Sequence, residues 1–210
     1  MSSLFQINYP VISHDITTET QAEEFQDLSY LPENPLHAQL LNDKSRLQEI
    51  YDLRVNVWES EKNDFVNRRL YPNGWQDELD QSAFHWIVSN DQDQIIASAR
   101  LNIFNSLKDF PYYASVKYLP FPQERPFAFY SRLVVHAQYR QSGLSRKLFN
   151  GRKYFCDEKG IHLSQVFINN RQVIGQFEKS GYKNIGQAEV NYHAASRPHS
   201  VNVFIKDDLS

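Results

Sequence analysis

The segment 133–148 constrains the fold of this 210-residue chain more than any other part of it. It opens with the apolar run Leu133, Val134 and Val135, which has the composition of a buried strand. A polar turn that contains Gly143 follows, and a helix with apolar residues on one side then begins. In such a strand–turn–helix, the first amides of the helix have no intrahelical partner and point outward together. The segment therefore predicts an anion-binding site at the start of a helix.

Hydrophobic periodicity on both sides of this segment predicts strands and helices in succession. The predicted helices cover 45–60, 142–159 and 171–180, and the predicted strands cover 83–89, 94–103, 127–135, 162–168, 182–192 and 199–206. This order indicates an α/β (α+β) fold with one mixed sheet, in a single domain over 44–210. Residues 1–43 carry seven acidic residues and no Lys or Arg, and we expect them to form an acidic arm packed on that domain.

Composition excludes several classes of protein. No apolar run approaches the roughly 18 residues that a membrane-spanning helix needs. No basic residue precedes Lys44, so we expect no secretory leader, no membrane partner and a cytoplasmic location. Cys156 is the single cysteine, and the seven histidines lack the spacing of a zinc site, so we expect no metal.

Positive charge is concentrated around the glycine turn. Residues 125–156 carry seven Lys and Arg and no acidic residue, and Arg140, Arg146 and Lys147 flank the turn. A patch this local, in a chain of pI about 6.2, favours a small anionic ligand over a nucleic acid. Gly143 alone also fits an ordinary surface turn, whereas the whole segment favours an anion.

These residues resemble a known signature. The pattern Arg140-x-x-Gly143-x-Ser145, after Leu133-x-Val135, is similar to the Q/R-x-x-G-x-G/A acyl-CoA motif of the GNAT N-acetyltransferase superfamily. Serine at the last position is a mild departure from that motif.

A second block supports the resemblance. Residues 170–182 end in FEKSGY, which is similar to the YEKLGF-like run that closes a later helix of the family. The resemblance covers roughly residues 45–206. It implies a GNAT-like fold with a mixed, splayed central sheet flanked by helices.

The resemblance also implies acetyl-CoA or another acyl-CoA as co-substrate. The backbone of Leu133 and Val135 would pair with its pantetheine, and Asn170 would face it, while the amides of residues 141–145 would hold the pyrophosphate. The implied cofactor-binding residues are Leu133, Val134, Val135, Arg140, Gln141, Ser142, Gly143, Leu144, Ser145 and Asn170. The implied reaction is direct acyl transfer to the amine of a small molecule, positioned beside the thioester.

Two positions depart from the catalytic pattern of the family. Its members often have a glutamate base where this chain has Phe129, and a tyrosine acid where it has Phe177. Neither ring can move a proton, so catalysis would use other groups or water. The candidate catalytic residues are Tyr130, His136 and Tyr182, with Ser131 and Glu189 also near in sequence. Each also fits a structural role or a place in the substrate pocket, and His136 also fits a cofactor contact.

An upstream pattern resembles the autoinducer-synthase and N-acyl amino acid synthase branch. It comprises Leu53-Arg54, Trp58, Asp77-x-x-Asp80, His85, Arg100 and Ser131-Arg132. Enzymes of that branch transfer long acyl groups, frequently from acyl carrier protein, so the branch implies a deep apolar tunnel beside Phe127 and Phe129. It also implies a carrier-protein surface that includes Arg125, Arg146, Lys147 and Arg152. A structural alternative, which we favour, is that Arg100 and Arg132 pair with Asp77 or Asp80 to lock adjacent strands.

Three functions follow from these patterns. The leading hypothesis is a GNAT-type N-acetyltransferase or other N-acyltransferase that uses acyl-CoA. The first alternative is a long-chain N-acyl amino acid or autoinducer-type synthase that uses acyl carrier protein. The second is a non-catalytic CoA-binding module, suggested by Phe129 and Phe177. The sequence does not identify the acceptor amine and leaves a homodimer open.

Overall fold

The computed structural model describes residues 36–61, 66–191 and 198–209. Of the predicted acidic arm, residues 1–35 lie outside the described residues and only 36–43 are described. Within this part, Gln39–Leu40 forms a two-residue strand, β1, which pairs with the strand Phe84–Ser89. A segment that the sequence assigns to the arm thus contributes a strand to the sheet.

Seven strands and four α-helices follow one another in the described part of the chain. The helices are α1 (Leu47–Ser60), α2 (Tyr113–Val116), α3 (Leu144–Glu158) and α4 (Arg171–Lys179). The strands after β1 are β2 (Phe84–Ser89), β3 (Ile95–Phe104), β4 (Phe127–Val135), β5 (Leu163–Ile168), β6 (Lys183–Val190) and β7 (His199–Asp207). These bounds confirm the predicted order of strands and helices. None of the described helices is long and apolar enough to cross a membrane.

The strands form one mixed sheet in the order β1-β2-β3-β4-β5-β7-β6. All neighbouring pairs are antiparallel except β4 and β5, which run parallel. β4 pairs with β5 from Phe127–Leu163 to Tyr130–Val166, and the pairing then stops although both strands continue. The two strands part beyond this rung, which confirms the predicted mixed, splayed sheet.

A β-bulge interrupts the ladder between β3 and β4 just beyond this parting. Between the rungs at Ser131 and Val134, β3 advances two residues and β4 advances three. The bulged stretch includes Arg132, which has a left-handed φ of +53°. Because side chains alternate across a strand, one extra residue exchanges the two faces. Tyr130 therefore packs with the core under α3, whereas Val134 packs with the core under α1.

Helices cover both faces of the sheet. On one face, Leu148 and Phe155 of α3 pack against Trp86 of β2, with the Phe155 and Trp86 ring centroids 5.2 Å apart. On the other face, Ile50 of α1 packs against Ile87 of β2. The apolar residues at helical spacing in the sequence are the ones that make these contacts.

The long segment between β3 and β4 places its aromatic side chains on the α1 face of β4. Phe110 is 2% exposed, and its ring centroid lies 5.6 Å from that of Phe127 and 4.9 Å from that of Phe129. Phe121 lies 4.9 Å from Phe127, again edge to face. Edge-to-face pairs of this kind pack closely and add to the stability of a core. The space beside this part of β4 is therefore filled with rings.

Gly151 marks a close approach of α3 to the sheet. A Cβ on this residue would lie 2.9 Å from Nε1 of Trp86 and 3.0 Å from its Cδ1. We expect Gly151→Ala to lower the free energy of unfolding by about 1–3 kcal/mol, because the buried indole would have to shift. Urea unfolding measures this change.

Gly175→Ala is the matched control for this substitution. Gly175 lies in α4, and no atom lies within 4 Å of a Cβ built on it. Alanine favours helix over glycine by about 1 kcal/mol, so this variant should be neutral or more stable. Equal destabilisation of the two variants would contradict a steric limit at Gly151.

Candidate functional site

The loop between β4 and α3 presents a run of amides without hydrogen-bond partners. A 3₁₀ turn covers Ala137–Tyr139, and Gln141 and Gly143 then adopt φ values of +63° and +80°. Among the described residues, the N–H groups of 141–145 donate no hydrogen bond. Residues 141–143 are exposed, and no atom lies within 4 Å of a Cβ built on Gly143. Successive amides in such a turn, at the start of a 15-residue helix, are suited to bind an anion.

Cations surround this run of amides. Arg146 is exposed in the first turn of α3. Nη2 of Arg140 lies 2.6 Å from Oε1 of Glu61, just after α1, and Nζ of Lys147 donates to the Leu36 carbonyl at 2.7 Å. One carboxylate thus offsets one of three cations near the loop, and the local field favours an anion.

The edge of β4 beyond Tyr130 carries the residues predicted to bind pantetheine. Leu133 and Val135 are half-buried, and Val134 is buried in the core under α1. β5 pairs with none of them, so this edge of the strand has no ladder partner among the described residues. Nε of Arg140 lies 3.4 Å from the Val135 carbonyl, which joins the loop to the strand end. The open strand edge and the amides at 141–145 therefore belong to one continuous segment.

Asn170 lies just after β5, the strand from which β4 parts. Its Oδ1 accepts a hydrogen bond from the N–H of Val173 at 3.4 Å, and its carbonyl accepts one from Ile174 at 2.9 Å. Asn170 thus caps the start of α4, and its contact with a cofactor stays a prediction.

Tyr130 and Tyr182, two of the candidate catalytic residues, lie together on the α3 side of the sheet. The Tyr130 hydroxyl lies 3.5 Å from Sγ of Cys156, and the Tyr182 hydroxyl accepts a hydrogen bond from Oγ of Ser164 at 2.7 Å. Arg152, buried under α3, places its guanidinium 4.7 Å from the centroid of the Tyr130 ring. Burial raises the pKa of both tyrosines, so both hydroxyls are protonated at neutral pH.

His136, the third candidate, lies just beyond the C-terminal end of β4. Its N–H donates to the Ile96 carbonyl at 2.8 Å, and its ring lies 5.9 Å from that of Tyr139. Nδ1 of this ring is buried, with no hydrogen-bond partner among the described residues. His136 lies six positions after Tyr130, a distance of about 20 Å along a strand. The structure therefore does not bring the three candidates to one point.

The phenylalanines at the two departures from the family pattern are packed side chains. The ring centroids of Phe177 and Tyr182 are 4.8 Å apart, and those of Phe129 and Phe167 are 5.1 Å apart. Glu189, the acidic candidate, is exposed on β6. Phe129, Phe177 and Glu189 therefore bring no proton-transferring group to the point where β4 and β5 part.

Two aspartates and three arginines form a buried ion-pair network on the α1 side of β3 and β4. Oδ1 of Asp77 lies 2.5 Å from Nη1 of Arg100, and its Oδ2 lies 2.5 Å from Nη2 of Arg132. Asp80 pairs with Arg54 of α1 at 2.9 Å and with Arg100 at 3.1 Å. The favoured structural prediction, that Arg100 and Arg132 pair with these aspartates, is confirmed.

A single 3₁₀ turn, Glu78–Asp80, holds both carboxylates. Asp77 accepts a hydrogen bond from the N–H of Leu79 at 3.0 Å, and Asp80 accepts one from the N–H of Asp77 at 2.9 Å. Burial by itself raises the pKa of Asp77, but the two guanidinium groups bound to it hold that pKa well below its usual range. The Asp-x-x-Asp spacing in the sequence is thus the spacing of a capped turn.

A cavity of about 360 Å³ opens beside this network, between α1, the 3₁₀ turn and β2. Its ionisable lining residues are Lys44, Tyr51, Asp77, Glu78, Asp80 and His85. Burial, together with the nearby Arg54, lowers the pKa of His85 to about 4, so its ring is neutral at pH 7. Sequence reasoning named both aspartates and His85 but missed Lys44 and Glu78, which no motif marks.

A sequence model of the Acetyltransferase (GNAT) family matches residues 47–182. No curated protein matches the sequence. The fold is similar to that of NAA60 of Arabidopsis thaliana, solved with acetyl-CoA, with a TM-score of 0.58 and 15% identity over 83% of this chain and 99% of that one.

Two solved synthases also share the fold. FeeM, an N-acyl amino acid synthase from uncultured soil microbes, aligns with a TM-score of 0.57 and 12% identity over 82% of this chain and 90% of its own. BjaI, a CoA-dependent acyl-homoserine lactone synthase solved with SAM and isopentyl-CoA, aligns with a TM-score of 0.58 and 16% identity over 82% of both chains.

The buried His85 makes the stability of the fold depend on pH. Its folded pKa of about 4 lies below the unfolded value of 6.5, so its contribution to stability is complete above pH 6.5. We expect the free energy of unfolding to fall between pH 6.5 and pH 4, because the unfolded chain binds a proton that the folded chain does not. Urea unfolding across this range measures the slope.

The matched pair for this test is His85→Gln and His37→Gln, of which the second replaces an exposed histidine. His85→Gln should remove most of the slope, and His37→Gln should leave it in place. A slope that persists in His85→Gln would show that another group binds the proton.

Proposed function

The chain belongs to the GNAT acetyltransferase family, and we propose that it transfers an acetyl or other short acyl group from acyl-CoA to the amine of a small molecule. The observation that carries this proposal is the run of amides at 141–145 that donate no hydrogen bond in the described structure. Residues 141–143 of this run are exposed just before α3, where their amides fit the pyrophosphate of a nucleotide cofactor.

In this proposal the acyl-CoA binds along β4. The amides at 141–145, with Arg140 and Arg146, hold the pyrophosphate, and the free edge of β4 at Leu133 and Val135 pairs with the pantetheine. Bound acyl-CoA supplies an activated acyl group as a thioester. The chain supplies the binding groups and the orientation, which lower the barrier to attack by an amine.

The packing around Phe127 and Phe129 favours a short acyl group. Phe104 lies 5.4 Å from Phe127, and Phe110 and Phe167 lie 4.9 and 5.1 Å from Phe129, as measured between ring centroids. The long-chain alternative needs a tunnel beside these two residues, and several buried rings would have to move to open one.

The placement of the basic residues favours CoA over a carrier protein as donor. Arg152 is 1% exposed, and its Nη1 donates to the Arg100 carbonyl at 3.1 Å, so it cannot contact a partner. Arg125 lies 2.5 Å from Asp207, which offsets its charge. The surface expected to receive an acidic carrier protein therefore lacks Arg152, and Asp207 partly neutralises its charge at Arg125.

The cavity beside Asp77 is the proposed acceptor pocket. Its volume of about 360 Å³ is in the range of small-molecule sites. Glu78 in its wall attracts a protonated amine, and Lys44 fits an acidic group on the same molecule. Asp77 also contacts Arg132 on β4, so an amine bound here approaches the thioester from the α1 side of the sheet.

Tyr130, His136 and Tyr182 remain the proposed groups for proton transfer. The two buried tyrosine hydroxyls are protonated at neutral pH, which is the form that donates a hydrogen bond to a departing thiolate. His136 lies beside the loop, where a contact with the cofactor is an equal alternative.

Phe129 and Phe177 favour a second candidate, a CoA-binding module without turnover. Both are buried at positions where members of the family often carry a proton-transferring side chain. Tight CoA binding without acyl transfer to any amine of a broad panel would support this candidate. Efficient turnover with any amine would exclude it.

Acetyl-CoA should stabilise the chain against heat. At 100 times its Kd, binding adds about 2.7 kcal/mol to the free energy of unfolding and raises Tm. We expect Gly143→Glu to abolish the rise in Tm, because it places a carboxylate among the amides that would hold phosphate. Scanning calorimetry with and without acetyl-CoA measures the shift.

Gly160→Glu is the matched control for this variant. Gly160 also has a positive φ, +66°, and nothing lies within 4 Å of a Cβ built on it, but it follows the C-terminal end of α3. The two variants share the added charge and the backbone strain, so a difference in the Tm shift reports on the loop. No shift of the unsubstituted chain with any acyl-CoA at millimolar concentration would contradict the proposed function.

Acyl-chain preference tests the filled space beside β4. We expect kcat/KM to fall about tenfold or more from acetyl-CoA to octanoyl-CoA, because a longer chain meets packed rings. Phe129→Leu should narrow this difference. Phe121→Leu, which alters the same aromatic cluster away from the parting of β4 and β5, should not. A preference of the unsubstituted chain for octanoyl-CoA would favour the long-chain synthase instead.

A further inference from the structure

We propose that Asp77 is a positioning residue for acyl transfer: it holds Arg132, and so keeps the β4 bulge in the shape that receives the thioester. This inference rests on the proposed function and extends it to a loop residue outside the cofactor-binding segment. Asp77 acts here through Arg132 and not on the reacting atoms.

The bulge is a strained point in β4. Arg132 has a φ of +53°, a conformation that residues with a Cβ adopt rarely. Leu133, which follows it, has no register partner in the β3 ladder, and β5 has already parted from the strand. An amide in this position is suited to donate to the carbonyl oxygen of a bound thioester as negative charge develops there.

Contacts with Asp77 and Trp75 hold the Arg132 side chain on the α1 side of the sheet. Nη2 lies 2.5 Å from Oδ2 of Asp77, and Cζ lies 3.9 Å from the centroid of the Trp75 ring. The other oxygen of Asp77 binds Arg100 on β3 at 2.5 Å. One carboxylate thus joins the bulged residue of β4 to the neighbouring strand, and the three side chains are 10% exposed or less.

The ion pair and the bulge support each other. Without the extra residue, the register of β4 would shift by one and a side chain at position 132 would move to the opposite face, away from Asp77. The carboxylate therefore favours the bulged strand over a regular one. Loss of the bulge would in turn change the position of the Leu133 amide.

Glycine and alanine substitutions at position 132 distinguish the effect of the bulge on catalysis from the effect of the ion pair. Both variants remove the guanidinium, but glycine adopts a positive φ readily and alanine does not. We expect Arg132→Ala to lower kcat about tenfold or more below that of Arg132→Gly at saturating substrates, with similar KM for acetyl-CoA. A role in stability alone would leave kcat of the folded protein equal in the two variants, so equal kcat values would overturn the inference.

A double-mutant cycle tests whether Asp77 acts through Arg132. Asp77→Asn should lower kcat in the unsubstituted chain and have little effect in Arg132→Gly, where the bulge needs no clamp. Asp80→Asn is the matched control, because Asp80 pairs with Arg54 and Arg100, and its effect should be the same in both backgrounds. A loss from Asp77→Asn that persists undiminished in Arg132→Gly would overturn the inference and assign Asp77 to acceptor binding.

A measurement without turnover keeps this inference distinct from the proposed function. The NMR coupling between the amide and Hα of residue 132 reports its φ directly. In Asp77→Asn we expect this coupling to move towards the value of an extended strand, and in Asp80→Asn we expect it to stay. Failure of the unsubstituted chain to transfer any acyl group would refute the proposed function, whereas an unchanged coupling in Asp77→Asn would refute the clamp.

Discussion

Everything at the candidate site depends on the point where β4 leaves β5. Backbone N–H and C=O groups in a half-buried strand require hydrogen-bond partners, and β5 provides them to β4 only as far as Tyr130. In the following loop, the N–H groups of 141–145 also lack hydrogen-bond partners among the described residues. A ligand with amide groups along its arm and phosphates at its end satisfies both stretches. An acyl-CoA has this form, and under the proposed function the open edge and the loop would be two parts of a single binding surface.

The buried ion pairs explain how so irregular a strand keeps its shape. A left-handed residue with a Cβ costs roughly 1–2 kcal/mol, and a bulge interrupts the ladder. Hydrogen bonds between charged groups contribute about 1.5–3 kcal/mol each, so the bonds of Asp77 to Arg100 and Arg132 are large enough to offset this strain. Arg54, the third arginine of the network, stays charged at neutral pH, since burial lowers its pKa only to about 10. In the proposed clamp, functional geometry and stability thus share one set of contacts.

Sequence reasoning succeeded where the signal is local. The strand 127–135 was located to the residue, because an aromatic and β-branched run is bounded by Pro126 and a polar turn. The prediction that Arg152 lies on a basic surface is wrong. Arg152 follows Leu148 by four residues and precedes Phe155 by three, the spacing of the buried face, and its Nε donates to the Leu148 carbonyl at 3.1 Å. The helical spacing of Arg152 therefore indicates a buried side chain, whereas its place in a run of basic residues suggested a surface position.

By itself, the sequence determined the order of strands and helices, the amide-rich turn before α3 and membership of the GNAT family. These properties depend on neighbours within one turn or one strand. Only the tertiary structure decided which of the two aspartates Arg132 binds (Asp77, 55 positions away), that an extra residue in β4 exchanges its two faces, and that Lys44 and Glu78 share a cavity wall. It also separated His136 from Tyr130 and Tyr182. Strand register and burial arise from contacts between residues distant in the chain, and no local pattern encodes those contacts.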